Sequence, residues 1–162
     1  MGASCLMRWT FLLLGLLVFT VQPARAGHKP PQVILRIHVQ TTGEGQSSLE
    51  ATKITIPPNN EQILVRTLPE ITEGDLIGVQ QDLSGGVRLF FNHIGKVNLD
   101  AVTAQNQGRF LVVLLDGVVI YAPTIDTQIT NGELDIPHAI RPEIVKLLQD
   151  VAAENVRKAA KT

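Results

Sequence analysis

The clearest pattern of apolar and polar positions in this chain lies in Gly108–Ile129. Two apolar runs, Phe110–Leu115 and Val118–Tyr121, flank the pair Asp116-Gly117. Asp-Gly can occupy both positive-φ positions of a type I′ turn, so the pattern predicts two antiparallel strands joined by a tight hairpin. Pro123 has no N–H to donate to a sheet, and we expect it to end the second strand.

Three further strands are predicted nearer the N-terminus. Val33–Val39 alternates with the period of a strand that has one buried face. The inward positions are Val33, Leu35, Ile37 and Val39, and the outward ones are Ile34, Arg36 and His38. Leu49–Ile56 and Ile63–Leu68 are predicted strands separated by a turn at Pro57-Pro58, and the glycine-rich stretch Thr41–Ser48 is a predicted loop. These three strands are expected to form an antiparallel meander.

A capping pattern predicts the first helix. In Thr72–Asp75 the threonine hydroxyl can cap the helix, and the aspartate at the third helical position can accept a hydrogen bond from the threonine main-chain N–H. The helix is expected to run to about Leu83 and to end at Ser84-Gly85-Gly86. Val87–Phe91 follows as a predicted strand.

Two more helices have recognisable ends. Asn92 is placed to cap a helix that runs to about Gln107, with Gly108 as its stop. The last helix is expected to begin near Pro142, which suits a first helical position, and Val156–Thr162 is a predicted basic, fraying tail. In the helix capped by Asn92, Leu99 and Val102 are predicted to be buried. In the last helix, the predicted buried stripe is Ile144, Leu147, Leu148, Val151 and Ala152.

The remaining segment, Asp126–Gly132, is rich in turn residues and precedes a short predicted strand, Glu133–Ile136. Strands and helices therefore alternate through Ile71–Ala153. This order predicts an α+β fold in which helices pack on one face of a sheet, with antiparallel pairing at the hairpin and extra β-strands before it.

The N-terminus has the pattern of an export signal. Arg8 precedes the apolar run Thr10–Val21, and Ala24-Arg25-Ala26 is a typical cleavage signal. The run is shorter than the roughly 20 residues that cross a bilayer. We therefore expect a cleavable Sec-type signal peptide, residues 1–26, with cleavage after Ala26 and a periplasmic or secreted mature chain. An uncleaved signal anchor is the alternative.

Composition limits what the mature chain can do. Roughly 135 residues would remain, the size of one domain. The only cysteine, Cys5, lies in the signal, so we expect no disulfide and no thiol chemistry. Without Arg8 and Arg25, the mature chain would contain 12 of the 14 lysine and arginine residues and all 15 aspartate and glutamate residues. This weak negative charge argues against nucleic-acid binding, and we expect no membrane span in the mature chain.

No motif for catalysis or cofactor binding is evident, so we expect no enzyme, cofactor or metal. The four histidines are dispersed and lack metal-ligand spacing: His28, His38, His93 and His138. Gly43 and Gly45 lack the strand and helix of a phosphate-binding loop. Asp116 is interpreted as a turn residue because Gly117 follows it.

Two groups of residues are weaker candidates for binding. Asp126, Glu133 and Asp135 cluster after the hairpin, where a cation site is possible although calcium-loop spacing is absent. Phe110 and Tyr121 could form an apolar patch for a partner, but packing in the core is the favoured interpretation.

A spaced series of residues begins at Phe90. It comprises Gly95, Leu99, Thr103, Asn106 and Gly108, then Leu115-Asp116-Gly117, then Val119–Ile125. This series resembles the head of the first periplasmic domain of SecD and SecF, the membrane subunits that assist the Sec preprotein channel. The likeness extends more loosely over Leu68–Ala101 and covers over half of the mature chain.

The resemblance implies a ferredoxin-like α+β head with fold-making rather than catalytic motifs. It also implies a division into the signal (1–26), an N-terminal β-strand extension (27–68), the head-like domain (69–153) and a basic tail (154–162). The chain departs from the family at Pro137-His138-Ala139-Ile140, where the entry to the last helix is rebuilt. It also lacks the family's membrane helices, so we expect it to act as a detached head and not as a proton-driven motor.

Two functions follow from the resemblance. The first is a non-enzymatic module that binds unfolded or extended polypeptide, with exported chains or Sec translocase components as partners. An exposed edge strand, Val33–Val39 or Glu133–Ile136, could accept a peptide strand through main-chain hydrogen bonds. The alternative is a docking or accessory protein that binds a folded envelope partner or itself through Val33–Leu68.

Overall fold

The computed structural model describes residues 33–42 and 50–161. They form an α+β fold with two helices and three small antiparallel sheets. The strands are β1 (Leu35–Val39), β2 (Ala51–Ile56), β3 (Glu61–Arg66), β4 (Ile71–Thr72), β5 (Leu76–Gln81), β6 (Val87–Phe91), β7 (Leu111–Leu115), β8 (Val118–Tyr121) and β9 (Glu133–Ile136). The helices are α1 (His93–Gln105) and α2 (Pro142–Ala159). The predicted signal peptide, His28 and most of the predicted loop at 41–48 lie outside the described residues.

The predicted hairpin is confirmed as β7 and β8. Asp116 and Gly117 have φ values of 51° and 80°, the two positive-φ positions that a type I′ turn requires. The Asp116 side chain also accepts a hydrogen bond from the Ile34 main-chain N–H at 2.9 Å. The turn is therefore fastened to the start of β1.

The predicted N-terminal meander is wrong. β1 lies inside the first sheet, which has the order β4-β1-β7-β8, and its five residues pair with β7. β2 and β3 pair with each other in a separate two-stranded sheet, and no strand ladder joins that sheet to β1. An isolated bridge between Gln40 and Val65, just beyond β1, links the two. The sequence pattern identified the strands, but an alternating pattern does not specify which neighbour a strand pairs with.

The β2–β3 hairpin covers the outer face of the first sheet. Ile63 and Val65 pack with Val112 in a small apolar cluster on that face. His38, predicted to point outward, is buried there, and its Nδ1 lies 2.8 Å from the Arg66 carbonyl oxygen. The outer face of β1 at His38 is therefore covered by the β2–β3 hairpin and not by water.

The first predicted helix is also wrong. The capping interaction exists, because the Thr72 N–H donates to the Asp75 carboxylate at 3.0 Å, but it encloses only a three-residue 3-10 turn. From Leu76 the chain is extended as β5, which pairs with β6. Ser84-Gly85-Gly86 is the turn of that hairpin, and the Asp82 carboxylate accepts hydrogen bonds from its N–H groups. A capping box marks where a helical turn starts and carries no information on its length.

The two helices match their predicted starts. The Asn92 side chain accepts a hydrogen bond from the Gly95 N–H at 2.9 Å, and Pro142 is the first residue of α2. A Cβ on Gly95 would lie 2.9 Å from Cβ atoms of Asp75 and Phe91, so glycine allows α1 to approach this closely. Helix α2 continues to Ala159, which includes the first residues of the segment predicted as a tail.

The main core lies between the first sheet, the β5-β6-β9 sheet and the helices. Helix α2 packs on β5, and the Asn155 amide donates to the carbonyls of Glu73 and Leu76. Of the predicted α2 stripe, Leu148, Val151 and Ala152 are buried, together with Val145, which the sequence pattern missed. The structure does not show the ferredoxin-like arrangement implied by the resemblance.

Candidate functional site

The weighed catalytic candidates do not converge on one site. Asp116 holds the hairpin turn, His38 is packed beneath the β2–β3 hairpin, and His93 starts α1. His138 contacts the edge of the Tyr121 ring, with ring centroids 5.6 Å apart. In the part of the chain that the structure describes, no group of three histidine, cysteine or acidic side chains is placed to hold a metal ion.

Phe110 and Tyr121 pack against buried apolar clusters, the interpretation favoured from the sequence over an apolar patch. Phe110 packs against the small cluster on the outer face of the first sheet, whereas Tyr121 packs against the main core. The two rings therefore belong to different clusters and do not make one surface.

A groove lies between the end strands of two sheets. β8 ends the first sheet and β9 ends the β5-β6-β9 sheet, and the chain between them lines a groove of about 570 Å³. The buried side chains of Leu111, Ile125 and Leu134 contribute to its lining. We call this space the β8–β9 groove. Its volume falls within the ordinary range of ligand pockets, roughly 300–1,000 Å³.

The wall of the groove is the segment between β8 and β9, residues 122–132. Its first part extends the first sheet, because the Ile125 N–H donates to the Arg109 carbonyl at 2.8 Å. Its second part crosses α1, where the Ile129 N–H donates to the Thr103 hydroxyl and Gln128 donates to the Asp100 carboxylate. These contacts hold the segment against the first sheet at one end and against α1 at the other.

The main chain of β9 has unpaired groups on the side away from β6. The Phe91 N–H donates to the Gly132 carbonyl, and this bond shows which residue pairs between β6 and β9 are hydrogen-bonded. Because hydrogen-bonded and non-hydrogen-bonded pairs alternate in an antiparallel ladder, Leu134 bonds to β6 whereas Glu133 and Asp135 direct their main-chain groups outward. The Glu133 N–H is satisfied by the Asn131 side chain at 3.0 Å. Among the described residues, the Asp135 N–H and the carbonyls of Glu133 and Asp135 therefore form the free edge of β9.

The opposite wall has the same geometry. Beyond β8 the chain still pairs with the β7 side of the first sheet, because the Leu111 N–H donates to the Pro123 carbonyl and the Ile125 N–H donates to the Arg109 carbonyl. The same alternation directs the main-chain groups of Thr124 away from β7. Two strand edges thus border one groove.

The groove has an acidic lining. Asp126, Glu133 and Asp135 all contribute to it, although the described residues include no group of three such side chains placed to hold a cation. Arg88 on the neighbouring strand β6 binds Asp135 through two nitrogen–oxygen contacts of 2.6 and 3.0 Å, and it lies 3.5 Å from Glu133. The hydrogen bond to Asp135 raises the pKa of the Arg88 guanidinium.

Tyr121 also lines the groove. Partial burial, and then the nearby charge of Asp135, raise the pKa of its hydroxyl. The hydroxyl is therefore neutral at physiological pH and can donate a hydrogen bond.

Two other clefts of comparable volume exist, so size does not single out the groove. One, of about 600 Å³, lies between Thr72–Gly74 and α2, and the other, of about 630 Å³, lies between β1 and β2. The β8–β9 groove differs because it is bordered by two sheet edges. Among the described residues, no helix is long and apolar enough to cross a membrane.

Sequence reasoning identified β9 as one edge but missed its partner. The prediction that β1 is an exposed edge is wrong, since β1 has β4 on one side and β7 on the other. β8 was recognised as a strand, but its position at the end of a sheet depends on long-range pairing that the hairpin pattern does not contain.

Comparison with known proteins decides the family. The family model of the SecDF P1 head subdomain matches residues 49–149, which is more than half of the chain. This chain belongs to the SecDF P1 head family. The SecDF P1 head is a periplasmic domain and not a catalytic family. The match includes β2 and β3 and ends within α2, and the division between residues 68 and 69 stays a prediction.

Solved structures of SecDF are similar in fold to this P1 head protein. A structure of the membrane component SecDF that enhances protein export matches with a TM-score of 0.53 and 22% identity, over 76% of this chain and 63% of that one. A crystal structure of SecDF in a super-membrane-facing form matches with a TM-score of 0.54 and 24% identity, over 75% of this chain and 18% of that one. The chain therefore spans less than two thirds of either relative. No curated protein sequence matches it.

Proposed function

We propose that this protein is a non-enzymatic module that binds extended polypeptide in connection with protein export. In this proposal the signal peptide is cleaved after Ala26 and the mature chain is periplasmic or secreted. Membership of the SecDF P1 head family supports the export context. The observation that carries the binding proposal is the free edge of β9 beside the β8–β9 groove. Exported chains and Sec translocase components are the proposed partners.

The proposed mechanism is strand addition. An extended segment lies in the groove and pairs with the Asp135 main-chain N–H and carbonyl, while its alternate side chains contact Leu134 and Ile125 at the floor. Main-chain hydrogen bonds supply affinity that depends little on sequence. This suits a protein that meets many different unfolded chains.

The first test is peptide titration followed by NMR of the amide signals. Saturating amounts of an extended peptide should shift the amide signal of Asp135 and those of Thr124 and Ile125 across the groove. The β2–β3 hairpin lies on the other face of the first sheet and should be unaffected. Unchanged signals around the groove at saturation would rule out this mechanism.

A proline substitution separates main-chain pairing from side-chain effects. Asp135→Pro removes the outward N–H without removing a bond to β6, and edge strands tolerate proline at such positions. Asp135→Asn is the matched control, because it removes the same carboxylate and keeps the N–H. We expect peptide binding to be lost in the proline variant and retained in the asparagine variant, with both folded by circular dichroism. Equal binding by the two variants would contradict pairing at β9.

A further inference from the structure

The lining of the β8–β9 groove is acidic. Three carboxylates line it, and no basic side chain does so among the residues that the structure describes. The cleft on the opposite face of the first sheet instead contains Arg36 and Lys53 beside Asp116. A bound segment would therefore meet an acidic wall in the groove and a mixed one in the other cleft.

We propose that the groove selects extended segments with lysine or arginine at alternating positions. This inference rests on the proposed function and specifies the class of segment bound. Glu133 and Asp135 are two residues apart on β9, so their side chains stand on the same face of the strand. A strand added to β9 would place every second side chain directly opposite or diagonal to these carboxylates, within roughly 5–8 Å.

Arg88 shows that this arrangement already operates within the sheet. It is the direct cross-strand partner of Asp135 on β6 and binds that carboxylate with two nitrogens. An incoming strand would lie on the other side of β9, so its basic side chains would occupy the position equivalent to that of Arg88. Across the three strands, Asp135 would then lie between Arg88 on β6 and a basic residue of the bound segment. Glu133 would lie opposite the basic residue two positions away in that segment.

Arg88 also limits the size of the effect. It neutralises part of the charge on Asp135, and the exposed side chains of this face are screened by salt. Arg88 also lies 3.5 Å from the Glu133 carboxylate and offsets part of its charge, so Asp126 and the remaining charge on Glu133 add to the attraction. Two or three exposed cross-strand charge pairs correspond to roughly three- to thirtyfold tighter binding, and the gain should shrink as ionic strength rises.

The test compares three short peptides of equal length that differ only at alternating positions, which hold lysine, threonine or glutamate. Fluorescence anisotropy with the intact protein at low salt should give the tightest Kd for lysine and the weakest for glutamate. About a tenfold ratio between lysine and threonine is expected. In the double variant Asp126→Asn, Glu133→Gln the ratio should fall toward one, whereas Glu61→Gln on the exposed β3 should leave the ratio unchanged.

The outcomes separate this inference from the proposed function. Equal Kd values for the lysine and threonine peptides would overturn the charge selectivity and leave peptide binding intact. A lysine preference that survives the double variant would place the selectivity outside the groove and would also overturn the inference. Failure of all three peptides to bind would overturn the proposed function, and the selectivity with it.

Discussion

Replacement of Ile37 by alanine should show whether β1 is an integral strand of the head. The side chain of Ile37 is 0% exposed in the main core, and its main chain pairs with Val113 on one side and Ile71 on the other. A separable N-terminal extension would tolerate the change. A strand between β4 and β7 would not, because the cavity would open between the two sheets.

The expected cost follows from the atoms removed. Ile→Ala deletes three carbons, worth about 0.8 kcal/mol each on burial, and the cavity left behind adds to this, giving a loss of about 3 kcal/mol. Ile34 provides the matched control on the same segment, since its side chain is 44% exposed and faces the other way. Its replacement by alanine should cost under about 1 kcal/mol, because water fills the space.

Urea unfolding followed by circular dichroism measures both variants. With a slope of about 2 kcal/mol per M, Ile37→Ala should lower the midpoint by about 1.5 M, and Ile34→Ala by less than about 0.5 M. If Ile37→Ala does not fold, Ile37→Val offers a smaller step of about 1 kcal/mol. Equal, small losses at both positions would refute the assignment of β1 to the core. A large loss at Ile37 alone would mean that deletion of residues 33–68 removes part of the head itself.

Three further predictions concern local structure. Asn92→Ala removes the cap on the Gly95 N–H and should lower the free energy of unfolding by about 1 kcal/mol in urea melts; no loss would mean that the cap contributes nothing. Gly117→Ala forces a side chain into a positive-φ position and should cost about 1–2 kcal/mol, and an unchanged midpoint would contradict the type I′ turn. The Ser84 hydroxyl bond, with main-chain N–H bonds, lowers the pKa of Asp82, so its stabilising contribution should be present above about pH 4 and lost as pH falls through the lowered pKa. Ser84→Ala should raise that pKa in an NMR titration of the carboxyl carbon, and an unchanged titration would refute the assigned cause.

Local chemistry explains which elements the sequence identified. Asp116-Gly117 requires only that two adjacent residues adopt positive φ, and the Asn92 cap and the start of α2 at Pro142 likewise depend on a few neighbouring residues. The same reliance on neighbours produced the error at Thr72–Asp75. There the local signal was satisfied by a single turn, and pairing with β6 determined the conformation from Leu76 onward.

The candidate site was only half visible in the sequence. Glu133–Ile136 was recognised as a possible edge, and the three carboxylates around it were recognised as a cluster. The groove itself requires β8 to end one sheet and β9 to end another, with residues 122–132 held between them by contacts to α1. No periodicity reports such an arrangement, because it is set by pairings between residues far apart in the chain.

The sequence by itself determined where most strands and helices lie and which family motifs they contain, because turn geometry, capping and hydrophobic period are properties of neighbouring residues. Only the tertiary structure decided which strands pair, that β1 is central, and that β9 keeps a free edge beside an acidic groove. These features depend on burial of both faces of the first sheet, one by the β2–β3 hairpin and the other by the main core. That burial is a property of the whole packed chain.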